Sequence, residues 1–282
     1  MITVSLTAIG DLQVTQGMTS PAVYLDHWAL RLISEDEGFS ARFAAGLETH
    51  GGTLALSWVN LVEFARVTAP EQIRWAEDLI QASLTRLFLI EVDPFVVISR
   101  EDELLAGAPR RPPHADADFL RLLATINPRA VTPLSARGLL NGLRDPGVDQ
   151  RSATFADTFI HQIAQLRLDG GHDPSLAAAV RAAPKGPAIQ AGTRFILRDL
   201  VRPLVVDKGK NVTRNDAMDF FHTVVPVAYC DYVLLDKHWA AQVAHARSRF
   251  KQARMIVPMA TVFSRGRSGV EKLLEKLGPS DI

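Results

Sequence analysis

The chain has 282 residues, no net charge, 47% hydrophobic residues and 22% charged residues, which is typical of a soluble globular protein with one large domain or two small ones. No apolar run is as long as a membrane span, and the N-terminus lacks the basic start and apolar core of a secretion signal. We therefore expect a cytoplasmic protein with no membrane partner. The single cysteine, Cys230, excludes an internal disulfide and disfavours a thiolate metal site.

The charge is divided unevenly along the chain. Residues 1–180 contain 14 Arg and no Lys against 22 Asp and Glu, a net charge of −8, whereas residues 181–282 contain 17 Lys and Arg against 9 Asp and Glu, a net charge of +8. This asymmetry is expected either of a polyanion-binding face or of two solvated surfaces that attract each other, and charge alone does not separate the two.

The first third of the chain predicts strands that alternate with helices. The strands are short buried-type runs, and the helices have apolar residues at spacings of three and four. In chain order we predict a strand at 21–26 (PAVYLD), a helix at 27–51, a strand at 52–57 (GTLALS), helices at 58–67 and 70–84, and a strand at 87–92 (LFLIEV).

The middle of the chain differs. A Pro- and Ala-rich loop at 106–118 is followed by helical periodicity alone up to about residue 202, which predicts an all-helical insertion over 106–204. Beyond it the alternation returns, with a helix at 211–228, a strand at 231–236 (DYVLLD), a helix at 237–252, a strand at 253–258 (ARMIVP) and a helix at 268–278. Alternating strands and helices predict an α/β domain with a mainly parallel sheet.

Acidic residues stand where such a sheet collects functional groups, beyond the carboxyl ends of its strands. Asp26 and Asp236 each end a predicted strand, and Glu63 lies on the helix after the second strand. Asp216 and Asp219 are three apart near the start of a helix and therefore share a face. Hard divalent cations such as Mg²⁺ or Mn²⁺ bind carboxylate oxygens, so a shared cation would offset the cost of burying these acids.

Each acid also has a plainer interpretation. An Asp after a strand often caps the next helix, Asp216 could complement a helix dipole, and Asp231 could cap or ion-pair at the start of its strand. Glu63 could be a solvated helix acid. His222 continues the face of Asp219, but a histidine there is more often a core or helix-face residue than a ligand.

Four stretches resemble the signature blocks of PIN-like domain nucleases: VYLDHWAL, SWVNLVEFAR, NDAMDFFH and AYCDYVLLDKHWA. The resemblance implies a parallel-sheet, Rossmann-like three-layer α/β domain with an acidic site for Mg²⁺ or Mn²⁺; many members cleave RNA. It implies a discontinuous domain of residues 1–105 and 205–282, interrupted by the helical insertion at 106–204. The insertion and the first twenty residues have no counterpart in the small toxin-type members.

Carried over by position, the resemblance implies that Asp26, Glu63, Asp219 and Asp236 are the catalytic and metal-binding acids. Asp216 and Asp231 match acids that only some members have, and both are candidate metal ligands. Basic residues flank these blocks and could hold phosphates, or could simply be solvated helix ends. The candidates for substrate binding are Lys208, Lys210, Arg214, Arg247, Arg249 and Lys251.

The leading hypothesis is a metal-dependent endoribonuclease. Asp26, Asp219 and Asp236 would hold the metal, and Glu63 would ligate it or orient the attacking water. The alternatives are a catalytically inactive PIN-like module that binds RNA or protein, and a structure-specific DNA nuclease. A nucleotide-binding protein is disfavoured because no Gly-rich phosphate loop follows a predicted strand. A homodimer is compatible with the family, and the sequence identifies no inhibitor partner.

Overall fold

The computed structural model describes residues 2–6, 12–107, 112–116, 119, 135–143, 146–182 and 192–278. Its strands form an antiparallel pair and a five-stranded parallel sheet in which the strand order is β5-β4-β3-β6-β7. The pair consists of β1 (Ile2–Leu6) and β2 (Leu12–Gln16), and the sheet of β3 (Ala22–Leu25), β4 (Thr53–Leu56), β5 (Leu87–Leu89), β6 (Tyr232–Leu235) and β7 (Thr261–Ser264).

The described helices lie mostly between these strands, as the alternation predicts. They are α1 (His27–Glu35), α2 (Glu37–His50), α3 (Trp58–Ala65), α4 (Pro70–Ala82), α5 (Pro94–Leu105), α6 (Ala136–Gly142), α7 (Pro146–His172), α8 (Pro174–Arg181), α9 (Gly192–Val206), α10 (Arg214–Tyr229), α11 (Lys237–Gln252) and α12 (Arg267–Leu277). The helical spacing predicted over 27–51 is confirmed, but it forms two helices because Asp36 divides the stretch: the Asp36 side chain accepts a hydrogen bond from the Phe39 amide at 3.0 Å and starts α2.

Four of the five predicted parallel strands are confirmed, and the fifth is misplaced. The apolar run at 253–258 is not a strand; the fifth strand is β7. Arg254 has a positive φ of 56° immediately after α11, which breaks an extended conformation. Ile256 is 79% exposed although Met255 beside it is buried, so the hydrophobic run that suggested a buried strand is only partly buried.

The strand order places β3 at a topological switch point. From β3 the chain builds outward through β4 to β5, then returns to pair β6 with the other side of β3 and continues to β7. In open parallel sheets, ligands bind in the crevice beyond the carboxyl ends of the two strands where the order reverses. Here those strands are β3 and β6, and Asp26 and Asp236 follow them directly.

Helices cover both faces of the sheet, which is compatible with a three-layer α/β fold. Successive strand residues alternate between two hydrophobic clusters: Tyr24 and Val233 pack with Phe220 of α10 and Trp239 of α11, while their neighbours pack with α1, α2, α4 and α12. Burial on both faces explains why the strands read as continuous apolar runs rather than as alternating ones.

The described part of segment 106–204 shares these clusters with the α/β elements. Phe159 of α7 and Ile196 of α9 lie in the cluster of Phe220, and Leu140 of α6 lies in the cluster on the opposite face. The regular elements described in the segment are helices, apart from an isolated bridge between Ile90 and Ala115, and they are joined by turns and irregular backbone. Within the described ranges, no helix combines the length and the apolar character that crossing a membrane requires.

Two helical glycines test the packing of the helical layers. A Cβ on Gly46 of α2 would lie 2.7 Å from the Leu277 carbonyl oxygen, whereas one on Gly171 of α7 would meet only the end of the Lys208 side chain at 3.7 Å. Alanine is favoured over glycine in helices by up to about 1 kcal/mol, but overpacking against backbone costs about 1–3 kcal/mol. We expect Gly46→Ala to lower the free energy of unfolding and Gly171→Ala to raise it slightly. Urea unfolding measures both, and a stabilising Gly46→Ala would contradict the close approach of α2 and α12.

Candidate metal centre

Two acids and a histidine, from three different parts of the chain, meet at the crevice between β3 and β6. Asp26 follows β3, and its backbone amide donates to the Leu234 carbonyl of β6 at 3.3 Å. Glu63 lies on α3 and His222 on α10. One ligand atom from each of these three side chains lies within 4.8 Å of the other two, so the trio could hold a metal ion.

Two atoms of this trio are buried without a hydrogen-bond partner. They are Glu63 Oε2 and His222 Nε2, which lie 3.4 Å apart. Buried polar atoms are nearly always satisfied, and a cation between them would satisfy both. Metal–ligand bonds of about 2.1 Å hold two ligand atoms at most ~4.2 Å apart, so closing a 4.8 Å separation onto an ion needs shifts of less than about 1 Å. The donor set therefore fits a divalent cation.

Two further acids line the same cavity, which has a volume of about 650 Å³. Asp219 lies on α10 and accepts a hydrogen bond from Asn215 Nδ2 at 2.9 Å. Asp236 caps α11 by accepting from the Trp239 amide at 2.7 Å, just as Asp26 caps α1 by accepting from the His27 amide at 2.6 Å. The capping role expected of a strand-end Asp is thus real, and it leaves the second carboxylate oxygen of Asp26 and Asp236 without a capping bond.

The crowding of acids displaces their pKa values. Burial, reinforced by Glu63 and Asp236, raises the pKa of Asp26 to about 6 despite the opposing effect of His222. Burial and the charges of Asp26 and Asp236 raise the pKa of Asp219 to about 7. Burial disfavours a charged His222, but the charges of Glu63, Asp26 and Asp219 together outweigh it and raise the pKa of the imidazole to about 9. The site therefore carries excess negative potential that a cation would relieve.

A buried hydrogen-bond chain lies behind His222. Its Nδ1 is hydrogen-bonded to the Tyr24 hydroxyl, which lies 3.2 Å from Ser57 Oγ. Ser57 and Asn60 form the capping box of α3, and Asn60 Nδ2 donates to the Leu25 carbonyl at 3.2 Å. The same capping box that starts α3 thus supports the imidazole ring from the side away from Glu63.

Two of the predicted metal ligands lie elsewhere. Asp231 precedes β6 at the opposite end of the sheet, where its Oδ2 accepts from Ser20 Oγ at 2.6 Å and from the Ala22 amide at 2.7 Å. A strand of four residues separates it from the site by roughly 13 Å. Asp216 is the N3 residue of a capping box with Thr213 and pairs with Lys210 at 2.7 Å. The structure brings neither acid to the cavity, and both have structural partners.

The predicted phosphate-binding cations do not line the acidic cavity either. Four of them have intramolecular partners: Lys210 binds Asp216, Arg214 binds Asp157 through two bonds of 2.6 Å, Arg249 binds the buried Asp199, and Arg247 binds the Ala260 carbonyl. The other two, Lys208 and Lys251, line separate cavities.

Among the described residues, three arginine–aspartate pairs join the acidic part of the chain to the basic part: Arg194–Asp102, Arg214–Asp157 and Arg267–Asp36, each at 2.6 Å. Part of the charge asymmetry therefore reflects surfaces that attract each other. Such exposed pairs contribute little stability individually, but one of them occupies Arg214, a predicted substrate-binding residue.

Sequence reasoning missed the cations that do border the cavity, Arg31 and Arg265. Arg31 pairs with Glu35 at 2.7 Å, whereas Arg265, directly after β7, has no ion pair or hydrogen bond to the residues that the structure describes. Arg31 has a signal in the sequence, since it lies five residues after Asp26 on the helix that Asp26 caps. Arg265 has none, because the last strand was misplaced.

The displaced pKa of Asp219 predicts a pH dependence. Its ordinary value is 3.8 and its value in the folded chain is about 7, so the folded state binds the proton more tightly. The resulting stability is fully present below about pH 4 and is lost as the pH rises through about 7. In EDTA, the free energy of unfolding of the wild type should therefore fall relative to Asp219→Asn between about pH 4 and pH 7. Parallel profiles from urea titrations would contradict the raised pKa.

Alanine variants of Asp231 and Asp26 test the different roles of the acids at the two ends of the sheet. Asp231→Ala removes the acceptor of the Ser20 hydroxyl and the Ala22 amide, so it should cost about 1–3 kcal/mol of stability. It should leave the rise in melting temperature caused by Mn²⁺ unchanged, whereas Asp26→Ala should abolish that rise. Differential scanning calorimetry with Mn²⁺ or EDTA measures both effects. Loss of the Mn²⁺ effect in Asp231→Ala would contradict this placement and support Asp231 as a metal ligand.

No protein-family model, curated protein or solved structure matches this chain. Similarity to known proteins therefore contributes no information about which reaction the crevice performs. The geometry and charge of the crevice between β3 and β6 are the basis for assigning a function.

Proposed function

We propose that the protein is a metal-dependent ribonuclease of the PIN-like type that hydrolyses phosphodiester bonds of RNA in the crevice between β3 and β6. The observation that carries the proposal is the convergence of Asp26, Glu63, Asp219 and Asp236 on one cavity. They come from four separate segments of the chain and meet at the switch point of the sheet, where parallel α/β folds bind their ligands.

The donor set supports Mg²⁺ or Mn²⁺ as the cofactor, because carboxylate oxygens dominate it. Asp26 and Glu63 would hold the cation from the buried side of the cavity, and Asp219 and Asp236 from its opening. A divalent cation bound there supplies a Lewis acid that activates water for attack on phosphorus and stabilises the leaving oxygen.

The remaining roles belong to the chain itself. Glu63 Oε2 is buried and has no hydrogen-bond partner, so it is placed to orient a water at the bottom of the cavity by accepting its proton in a hydrogen bond. Arg31 and Arg265 at the rim are placed to hold phosphates on either side of the scissile bond. The helix caps made by Asp26 and Asp236 keep both carboxylates rigid, which favours catalysis by fixed charges.

The negative charge of the cavity makes the proposed cleavage depend strictly on a bound metal ion. The cavity is lined by five acids, including Glu35, but by only two arginines. Without a cation it would repel a phosphodiester, and at short range in a partly buried site each like-charge contact is worth several kcal/mol. The activity should therefore disappear in EDTA rather than merely decline.

The test is cleavage of end-labelled single-stranded RNA, hairpin RNA and single-stranded DNA with Mn²⁺, Mg²⁺ or EDTA. The wild type should cut RNA only with a metal ion, and Asp26→Asn should reduce the rate by about 10²-fold or more, as expected for a group acting directly at the reacting atoms. Asp102→Asn is the matched control, because Asp102 is 56% exposed and pairs with Arg194 on the surface.

The outcomes separate the alternatives. Metal-dependent cutting of DNA but not RNA would identify a DNA nuclease with the same acidic chemistry. If Mn²⁺ raises the melting temperature of the wild type but no substrate is cut, a binding module is favoured. Equal cleavage by the wild type and Asp26→Asn would rule out the assignment of this cavity.

A further inference from the structure

His222 is the least exposed side chain at the metal centre. Its exposed fraction is 1%, and its Nε2 has no hydrogen-bond partner while facing Glu63 Oε2 at 3.4 Å. A buried imidazole nitrogen that faces one carboxylate, in a group with a second one, has two physical explanations. It is either a proton-bearing counter-ion of those acids or a ligand that shares a cation with them.

The hydrogen-bond chain behind the ring specifies which nitrogen of the neutral imidazole carries the proton. Ser57 Oγ donates its only proton to Asn60 Oδ1 at 2.8 Å and therefore acts as an acceptor toward the Tyr24 hydroxyl, 3.2 Å away. With its proton directed to Ser57, the Tyr24 oxygen accepts from His222 Nδ1. Asn60 Nδ2 is 3.5 Å from Nδ1, but its shorter bond is to the Leu25 carbonyl.

This tautomer leaves the lone pair of Nε2 facing Glu63 Oε2, within the trio that also includes Asp26. A metal-binding histidine usually has this arrangement, in which a hydrogen-bond acceptor fixes the proton on the nitrogen away from the ion. Here that acceptor is the Tyr24 hydroxyl, and it is held in place by Ser57 in turn.

We propose that His222 Nε2 is a nitrogen ligand of the cation at this site, and that it makes the site select a first-row transition ion such as Mn²⁺ over Mg²⁺. This inference rests on the proposed metal-dependent function and extends it to the choice of metal. Mg²⁺ binds oxygen almost exclusively in proteins and keeps several of its waters. An imidazole nitrogen is a better ligand for transition ions, which bind it with increasing affinity from Mn²⁺ to Cu²⁺.

The assignment also gives Tyr24 a role. It would be a positioning residue that acts on the metal through His222 rather than by touching the ion. Outer hydrogen-bond partners of metal-bound histidines typically contribute 10–100-fold to metal affinity. Tyr24→Phe keeps the ring and removes only the hydroxyl, so it should weaken Mn²⁺ binding by about that factor with little effect on Mg²⁺.

The decisive experiment is pulsed electron paramagnetic resonance of Mn²⁺ bound to the full-length chain. The wild type should show a ¹⁴N coupling from one imidazole, and growth with ¹⁵N-histidine should convert it to a ¹⁵N coupling. His222→Gln should remove the coupling. His27→Gln is the matched control and should keep it, because His27 lines the cavity and, like His222, has a buried Nε2 without a hydrogen-bond partner.

Titrations of the melting temperature with each ion provide the second measurement. The ratio of Mn²⁺ affinity to Mg²⁺ affinity should fall about tenfold or more in His222→Gln, because glutamine offers oxygen in place of nitrogen. If His222→Gln does not fold, the ¹⁵N-histidine sample and Tyr24→Phe test the same point in folded protein.

The outcomes are distinguishable. Bound Mn²⁺ without nitrogen coupling would show that His222 is only a counter-ion, which overturns this inference and leaves the ribonuclease proposal intact. A coupling that survives in His222→Gln but vanishes in His27→Gln would also overturn it. No stabilisation by either ion, together with no cleavage, would remove both proposals at once.

Discussion

The pairing of β3 with β6 is the constraint on which the rest of the structure depends. It joins residues separated by about two hundred positions, and its register is held by backbone bonds at both ends, from Asp26 to Leu234 and from Asp231 to Ala22. Because parallel strands end at the same edge, this register places Asp26 beside Asp236. The side chain of Asp231 reinforces the opposite end by binding the start of β3. In the AYCDYVLLDK block, Asp231 therefore stabilises the pairing of the strands, and Asp236 owes its position beside Asp26 to that pairing.

The acids at that edge lower the stability of the fold when no cation is bound. Burial and mutual repulsion raise the pKa values of Asp26 and Asp219, and a buried carboxylate is unfavourable unless a positive charge compensates it. His222 provides part of that compensation, and a divalent cation would provide more. Sites that depart from local stability in this way are where function is expected in an otherwise consistent fold.

The helices that carry the site are themselves set by local chemistry. Strand-end aspartates cap α1 and α11, a Ser–Asn box starts α3, and a Thr–Asp box starts α10. These caps hold the backbone so that Glu63, Asp219 and His222 face the crevice. In the case of α3, the cap also supports the imidazole through Tyr24. Local helix initiation and long-range site geometry thus use the same side chains.

The sequence by itself determined the alternation of strands and helices, because apolar runs and helical spacing are local signals. It also placed the candidate site acids Asp26, Glu63, Asp219 and Asp236 next to or on the strands and helices where the structure has them. Only the tertiary structure decided which residues meet. Strand order places Asp231 at the far end of the sheet, and ion pairs occupy Lys210, Arg214 and Arg249. The packing of α10 against the sheet brings His222 to Glu63. No spacing in the chain encodes these outcomes, since each depends on contacts between segments that are distant in sequence.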